Sequence, residues 1–304
     1  MIKEQQIKIF PEHLVKGDKI ALISTARKIS KIDVEYSVQT ITNWGFEVVF
    51  GKNLFNQMNQ FSGTDQQRSD DLQQMIDRKD IKAILCVRGG YGTVRIIDKI
   101  DFSSLFKNPK WIVGYSDVTV LHSHLNTLGL ASLHASMPIN FKTNTPECLE
   151  SIRLALTGKK ILYSTKHNSY NRNGIANAQI VGGNLSILYS LCGSSSDINT
   201  NNKILFLEDL DEYLYHIDRM MYNLKRTGKL CNLAGLIIGS MSDMHDNTIP
   251  FGKKVDEIIY DLVKEYNYPV CFDFPAGHVK NNLCLPLGKT ATLTVGEKTT
   301  LEYE

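Results

Sequence analysis

The stretch WIVGYSDVTVLH (residues 111–122) carries the pattern that decides the fold. An apolar run ends at Gly114, Ser116 and Asp117 interrupt it, and an apolar pattern with helical spacing then resumes. A short apolar run bounded by glycine predicts a buried strand, and apolar residues three and four apart predict an amphipathic helix. The stretch therefore predicts a strand, a tight turn and a helix in succession.

The same unit repeats on the N-terminal side of this stretch. Strand-like runs occur at residues 19–25 (KIALIST), 46–50 (FEVVF) and 81–87 (IKAILCV), and residues 65–77 have helical spacing. Repeated strand–helix units predict the α/β class, here a Rossmann-like, mostly parallel sheet covered by helices. Ligands bind beyond the carboxyl ends of the strands in such sheets. The turns RGGYG (residues 88–92) and GYSD both follow strands and are therefore candidate ligand sites.

The second half of the chain has a different pattern. A predicted helix ends at Gly158, and the polar stretch YSTKHNSYNRNGIAN follows it. Strands and helices then alternate, and the chain ends in a predicted hairpin around VGEK. We predict an N-terminal domain of residues 1–160, a linker of residues 161–178 and a C-terminal α/β domain of residues 179–304 with a mixed sheet.

Composition and charge exclude several classes of function. The 304 residues are 42% hydrophobic and 22% charged, which is typical of globular proteins. A net charge of +2 argues against a nucleic acid as the main ligand. The N-terminus lacks the apolar core of a signal peptide, and no apolar run approaches the roughly 18 residues of a membrane span. We expect a cytoplasmic protein with no membrane partner. The six scattered cysteines suggest neither a disulfide framework nor a metal site.

Ser116 and the RGGYG turn each have a structural and a functional interpretation. Ser116 would be an ordinary helix N-cap, which the local pattern favours, or a nucleophile on a strand-to-helix turn. Val118 stands where the G-x-S-x-G motif has its second glycine. The RGGYG turn would be a tight connection, or it would bring backbone N–H groups to an anion or oxyanion. Its spacing does not match a dinucleotide-binding motif.

A serine nucleophile also needs a base and an acid that orients the base. Among eight histidines, His278 lies in a loop rich in Gly, Pro and Asn after a predicted strand. Ordered loops at strand ends often carry catalytic groups, although a structural loop histidine is the alternative. Glu208 shares a strand face with apolar residues, so its burial predicts a partner. The nearby Asp209, Asp211 and Glu212 are predicted to form a solvated turn.

Seven blocks of this sequence, taken together, resemble the LD-carboxypeptidases. This family of serine peptidases, S66, includes murein tetrapeptide carboxypeptidases and microcin C immunity peptidases. The blocks follow one another along nearly the whole chain, which makes the match more specific than any single motif. They are LVKGDKIALIST, SGTDQQRSDDLQQMI, AILCVRGGYG, WIVGYSDVTVLH, VGGNLSIL, LFLEDLDEYLYHIDRMM and PAGHVKNNLCLPLG.

The resemblance implies an activity and a set of site residues. It places a Ser–Glu–His triad at Ser116, Glu208 and His278, and an oxyanion hole at the backbone N–H groups of Asp117 and Gly90. The implied reaction is hydrolysis of an LD peptide bond that releases terminal D-alanine from a murein tetrapeptide during peptidoglycan recycling. The resemblance also implies a small peptide substrate, a homodimer, and neither a metal nor an organic cofactor.

The residues that bind substrate are less well specified. A carboxypeptidase must receive the terminal carboxylate of its substrate, and Arg88 and Arg95 are both near the glycine turn. Asn184 is a further candidate, with a structural turn role as the alternative. The family often has a proline and a small residue where this chain has STARK (residues 24–28). This departure lies beside the expected site and would affect substrate preference.

Two other functions are considered. Hydrolysis of a microcin-like aminoacyl-nucleotide would need an aromatic platform for the base. Trp44 and Trp111 are the only tryptophans, and both are predicted to pack in the core, so this function ranks lower. A non-catalytic nucleotide- or peptide-binding protein would use RGGYG as an anion site. The presence of all three triad residues in their blocks argues against it.

Overall fold

A computed structural model describes residues 9–304, which form two sheets covered by helices. Residues 1–8 lie outside the described residues. They include most of the N-terminal stretch in which the sequence shows no signal-peptide pattern. The first half contains the strands β1 (Lys19–Ile23), β2 (Glu47–Phe50), β3 (Ile81–Cys86), β4 (Trp111–Gly114) and β5 (Ser132–His134). Its helices are α1 (Lys31–Asn43), α2 (Asp65–Asp77), α3 (Ser103–Lys107), α4 (Thr119–Thr127) and α5 (Pro146–Leu156).

The second half adds a larger set of strands and fewer helices. The strands are β6 (Leu162–Thr165), β7 (Gly174–Asn184), β8 (Ile204–Leu210), β9 (Gly235–Ser242), β10 (Val270–Cys271), β11 (Leu285–Leu287), β12 (Thr290–Val295) and β13 (Thr299–Tyr303). The helices are α6 (Leu185–Leu191), α7 (Leu214–Arg226) and α8 (Val255–Val263). No helix within residues 9–304 has the length and apolar character needed to cross a membrane.

The first sheet has the order β11-β5-β4-β3-β1-β2. Strands β1 to β5 are parallel to their neighbours, and β11 is antiparallel to β5, so the predicted mostly parallel sheet is confirmed. The strand order reverses between β1 and β3, because the chain passes to β2 on one side and returns to β3 on the other. Loops diverge at such a point and leave a crevice at the carboxyl ends of the strands. The STARK segment and the RGGYG turn border this crevice.

The second sheet has the order β10-β9-β8-β7-β12-β13-β6. Strands β7 to β10 are parallel, whereas β12, β13 and β6 are antiparallel, so the predicted mixed sheet is also confirmed. The range 161–178, expected as a linker, contains β6 and the first residues of β7. Both strands pair with the C-terminal hairpin, and β6 forms one edge of the sheet, where a polar sequence is exposed to solvent.

The two sheets share a continuous apolar core. One cluster of buried residues includes Leu22 and Val113 from the first sheet and Phe206 and Leu293 from the second. Strand β11 crosses from the C-terminal half into the first sheet. The Asn184 backbone N–H at the end of β7 donates to Thr119 Oγ1 at the start of α4 (3.1 Å). These contacts bring the carboxyl ends of β4 and β8 to the same cleft.

Candidate active site

Ser116 occupies an unusual backbone conformation at the end of β4. Its φ is +61°, in the left-handed region that residues other than glycine rarely adopt. It begins a short 3₁₀ turn (Ser116–Val118), and α4 follows at once. Neither the turn nor α4 has a side-chain cap, so the N-cap interpretation of Ser116 is wrong. The strand–turn–helix predicted from the sequence is present, with the serine at the turn.

His278 and Glu208 form a hydrogen-bonded pair across 70 residues of sequence. The His278 Nδ1 atom lies 2.6 Å from Glu208 Oε2. Glu208 is fully buried in β8, and the His278 side chain is 13% exposed. The other ring nitrogen, Nε2, is left for the cleft, where His278 and Ser116 are both lining residues. Within residues 9–304, Ser116 Oγ makes no hydrogen bond to this ring.

The environment of His278 favours its protonated form. Burial acts to lower the pKa of His278, but the negative charge and hydrogen bond of Glu208 outweigh burial, and the pKa is raised above its ordinary value. A carboxylate that holds one ring nitrogen also fixes the orientation of the imidazole and stabilises its charged form. The pair can therefore accept a proton at Nε2.

The backbone around His278 is held by several short contacts. Gly277 has φ +115°, and a Cβ on it would lie 2.7 Å from Glu208 Oε2, so only glycine fits without displacement. The Gly277 N–H donates to Asn282 Oδ1 (2.8 Å), and Ser242 Oγ donates to the His278 carbonyl (3.1 Å). The loop is thereby fixed against the ends of β8 and β9.

The RGGYG turn packs directly against the serine turn. A Cβ on Gly89 would lie 3.4 Å from Ser116 Cβ and 3.5 Å from the Asp117 backbone nitrogen. Gly90 lines the cleft beside them. The two turns are therefore in contact beside Ser116.

A buried polar network fixes the relative position of these two turns. Asp117 Oδ2 accepts hydrogen bonds from the Thr93 backbone N–H (2.9 Å) and from Thr93 Oγ1 (2.6 Å). Burial raises the pKa of Asp117, and the bonds from Thr93 act in the opposite direction. The fully buried Arg68 donates to the carbonyls of Thr25 (2.5 Å) and Gly92 (3.0 Å). These contacts tie the loops after β1, β3 and β4 together.

The acidic turn after Glu208 differs from the sequence-based expectation. Asp209 is buried, so its prediction as part of a solvated turn is wrong. It accepts hydrogen bonds from Asn184 Nδ2 (2.9 Å) and from the Ser186 backbone N–H (2.8 Å). Burial, with the charge of Glu208, raises the pKa of Asp209 to about 7. Because successive side chains of a strand point to opposite faces, Asp209 lies on the other face of β8 from Glu208. Helix α6 covers that face.

Asn184 has a clear structural role in the same place. Its Oδ1 accepts from the Ile187 backbone N–H (3.2 Å), which makes it the N-cap of α6. Its Nδ2 holds Asp209, and the residue is buried while lining the cleft. These contacts agree with the structural alternative for Asn184, in which it is a turn residue.

A cleft of about 530 Å³ is lined by the residues predicted for the site, except the buried Glu208 and Arg95. Arg88 lines it, and its Nη1 donates to the Lys28 carbonyl (3.0 Å). Arg95 does not line it, because Arg95 pairs with Asp65 (2.9 Å). Several lining residues, most notably Arg27 and Tyr115, were not among the residues predicted for the site. The departure at STARK was the one signal that pointed towards Arg27.

The chain is similar to proteins of one known family. The LD-carboxypeptidase N-terminal domain model matches residues 20–135, and the LD-carboxypeptidase C-terminal domain model matches residues 177–293. A Bacillus subtilis (strain 168) protein named probable murein peptide carboxypeptidase is 34% identical over 305 residues, covering 95% of this chain and 92% of the relative. The chain belongs to the LD-carboxypeptidase family.

More distant LD-carboxypeptidases and solved structures agree with this assignment. The murein tetrapeptide carboxypeptidase of Pseudomonas aeruginosa is 26% identical over 90% of this chain and 92% of its own length. The crystal structure of muramoyltetrapeptide carboxypeptidase from Oxalobacter formigenes has a TM-score of 0.86 and 25% identity, covering 94% of this chain and 98% of that chain. The microcin C7 self-immunity protein MccF, solved with aspartyl sulfamoyl adenosine, also has a TM-score of 0.86. Its 22% identity, over 97% of this chain and 98% of that chain, shows a shared fold.

Proposed function

We propose that this protein is a serine-type LD-carboxypeptidase that releases terminal D-alanine from a murein tetrapeptide. Relatives named as murein peptide and murein tetrapeptide carboxypeptidases support the substrate class. The observation that carries the proposal is the His278–Glu208 pair, which shares a cleft with a serine in the left-handed conformation. A small peptide is the proposed ligand, and the homodimer and the cytoplasmic location stay predictions.

The proposed reaction uses Ser116 as the nucleophile. Its Oγ attacks the carbonyl carbon of the LD bond while His278 Nε2 takes the hydroxyl proton. Glu208 holds the imidazole through Nδ1 and stabilises the imidazolium that forms. The C–N bond then breaks, and the imidazolium gives its proton to the departing amine of D-alanine. Water, deprotonated by the same histidine, attacks the acyl-enzyme and regenerates Ser116.

Negative charge on the carbonyl oxygen is proposed to be met by the backbone N–H groups of Asp117 and Gly90. The packing of Gly89 against Ser116 supports this placement, because it brings the two turns into contact. Loss of one such donor lowers the rate by about 10²–10³. The absence of a hydrogen bond from Ser116 to His278 is compatible with the role, because such bonds often tighten only when substrate binds.

The other residues of the cleft are proposed to bind the peptide. Arg88 supplies positive charge, and Asn184 also lines the cleft, with its amide hydrogen-bonded to Asp209 and to the start of α6. The microcin-like alternative ranks lower. Neither Trp44 nor Trp111 lines the cleft, and Trp111 is 3% exposed.

The proposal is tested by comparing wild type with Ser116→Ala on a tetrapeptide ending in D-alanine. We expect release of D-alanine by wild type and a loss of at least about 10³-fold in kcat for the variant. Ser190→Ala, an exposed serine on α6, is the matched control and should retain wild-type kcat. Equal release by wild type and Ser116→Ala would refute the nucleophile, and no release by wild type would refute the substrate.

A further inference from the structure

Arg27 lines the cleft but has no role in the reaction proposed for Ser116, Glu208 and His278. It lies in the loop after β1, is exposed, and lines the same cavity as Ser116 and His278. Its side chain lies flat against Gly90, because a Cβ on that glycine would be 2.6 Å from both Arg27 Cδ and Arg27 Nε. The Arg27 side chain therefore packs against Gly90, the residue whose backbone N–H is proposed to stabilise the oxyanion.

Charge pairing leaves Arg27 available for a ligand. Arg68 and Arg95 both pair with Asp65, and Arg88 donates to the Lys28 carbonyl. Within residues 9–304, the Arg27 guanidinium forms neither an ion pair nor a hydrogen bond. An arginine presents a fork of N–H donors that matches a carboxylate, so an unpaired one at a binding cleft favours an anionic ligand.

The backbone that carries Arg27 is fixed. The Arg27 carbonyl accepts a hydrogen bond from Ser24 Oγ (2.8 Å). The flanking groups pair with the segment before α2: the Lys28 N–H donates to Gln60 O (2.9 Å), and Ser62 N–H donates to Ala26 O (3.0 Å). A side chain on such a loop binds with little loss of conformational freedom of the backbone.

We propose that Arg27 receives the terminal carboxylate of the peptide, with Arg88 as a second positive charge. This inference rests on the proposed function, in which the carbonyl oxygen of the cleaved bond faces Gly90. The terminal carboxylate is one residue further along the substrate, and one residue spans about 3.3–3.6 Å. A guanidinium packed on Gly90 is therefore at the correct distance to bind it. Arg27 then determines that the enzyme removes only a last residue with a free carboxylate.

The experiment compares two probes and three proteins. The probes are the tetrapeptide ending in D-alanine and the same peptide ending in D-alanine amide. The proteins are wild type, Arg27→Met and the control Lys31→Met, which removes one positive charge from an exposed site at the start of α1. We expect Arg27→Met to lower kcat/KM for the acid by about 10- to 100-fold, because the variant loses charge-assisted hydrogen bonds to the carboxylate. Most of the change should be in KM, because the carboxylate is bound equally in the ground and transition states.

The ratio of acid to amide cleavage separates recognition from a structural effect. Wild type and Lys31→Met should strongly prefer the acid, and Arg27→Met should cleave both probes at similarly low efficiency. An Arg27→Met enzyme that loses the same factor on both probes, or that keeps the wild-type preference, would overturn the inference. Arg27→Lys should recover part of the preference, because it restores the charge without the fork.

A binding measurement keeps this inference separate from the proposed function. Calorimetric titration of Ser116→Ala with each probe needs no turnover. We expect Ser116→Ala to bind the acid more tightly than the amide, and the double variant Ser116→Ala/Arg27→Met to lose this preference. That result supports the role of Arg27 whatever the catalytic rate. Equal binding of acid and amide to Ser116→Ala would refute the role of Arg27, even if wild type releases D-alanine.

Discussion

At the scale of single residues, two unfavourable features coincide at the carboxyl ends of β4 and β8. Ser116 has φ +61°, and such a conformation costs of order 1–3 kcal/mol outside glycine. Glu208 is a fully buried carboxylate, which is unfavourable unless it is paired. Its partner is His278. The strained Ser116 and the buried Glu208–His278 pair meet at one cleft. Strained residues and buried ionisable residues are often found at functional sites.

The role of Glu208 predicts a specific pH dependence. The base must be neutral to act, and Glu208 raises the pKa of His278, so wild-type kcat/KM should fall as the pH drops through a value above the ordinary 6.5. In Glu208→Gln, burial would dominate and the pKa of His278 would fall. The acidic limb of the profile should therefore move to lower pH while the maximal rate drops by about 10²–10⁴. A pH profile of D-alanine release measures both effects.

The control for this prediction is Glu265→Gln, which removes an exposed carboxylate paired with Lys225. Its pH profile should coincide with that of wild type. An acidic limb in Glu208→Gln that stays in place or moves to higher pH would show that His278 is not the titrating base.

At the scale of elements, the proposed nucleophile Ser116 lies on a turn and the proposed base His278 lies in a loop, whereas Glu208 lies within β8. The loop between β10 and β11 holds His278, and its conformation depends on Gly277. The start of α5 anchors the same loop, because the Thr145 N–H donates to the Lys280 carbonyl (3.1 Å). The loop is therefore fixed by both halves of the chain, and a local change in it should affect catalysis.

We predict that Gly277→Ala lowers kcat by at least about 10-fold. The new Cβ would approach Glu208 Oε2 and Ser240 Oγ, so the His278–Glu208 pair must shift, and small misplacements of catalytic groups reduce rates strongly. Gly252→Ala is the matched control, because Gly252 also has positive φ (+85°) but no atom within 4 Å of its Cβ position. In urea unfolding, Gly252→Ala should lose about 1 kcal/mol from backbone strain, and Gly277→Ala should lose more, because it adds the close contacts with Glu208 and Ser240. Equal loss of kcat in the two variants would contradict the role of the close contact.

At the scale of the whole molecule, the candidate active site lies between two sheets that share one core. Leu285 in β11 belongs to the C-terminal half but pairs with His134 in β5 of the first sheet. Buried residues from both sheets form one cluster. The proposed site uses residues from both halves of the chain, so its geometry requires the two halves to stay packed together. We expect the two halves to unfold together.

This packing predicts coupled unfolding. Both tryptophans, Trp44 and Trp111, lie in the first half, so their fluorescence reports on the first sheet, whereas far-UV circular dichroism reports on the whole chain. The two transitions in urea should coincide. Leu285→Ala should lower the free energy of unfolding by about 2–5 kcal/mol and shift both signals equally. Leu162→Ala, at an exposed leucine of the second sheet, should leave both midpoints in place. A circular dichroism transition that splits in two, with only the part that matches the fluorescence shifted by Leu285→Ala, would indicate independent halves.

Local sequence patterns specified the strand, turn and helix units and their order along the chain. Apolar spacing predicted the strands and helices around Ser116, and motif blocks selected Ser116, Glu208 and His278 as candidates. These signals are short-range, because periodicity and turn chemistry depend on residues a few positions apart. The tertiary structure alone decided which distant residues meet: His278 with Glu208, and β11 with the first sheet. It also buried Asp209 and placed Arg27 against Gly90, since burial and contact between separated segments depend on how the sheets pack.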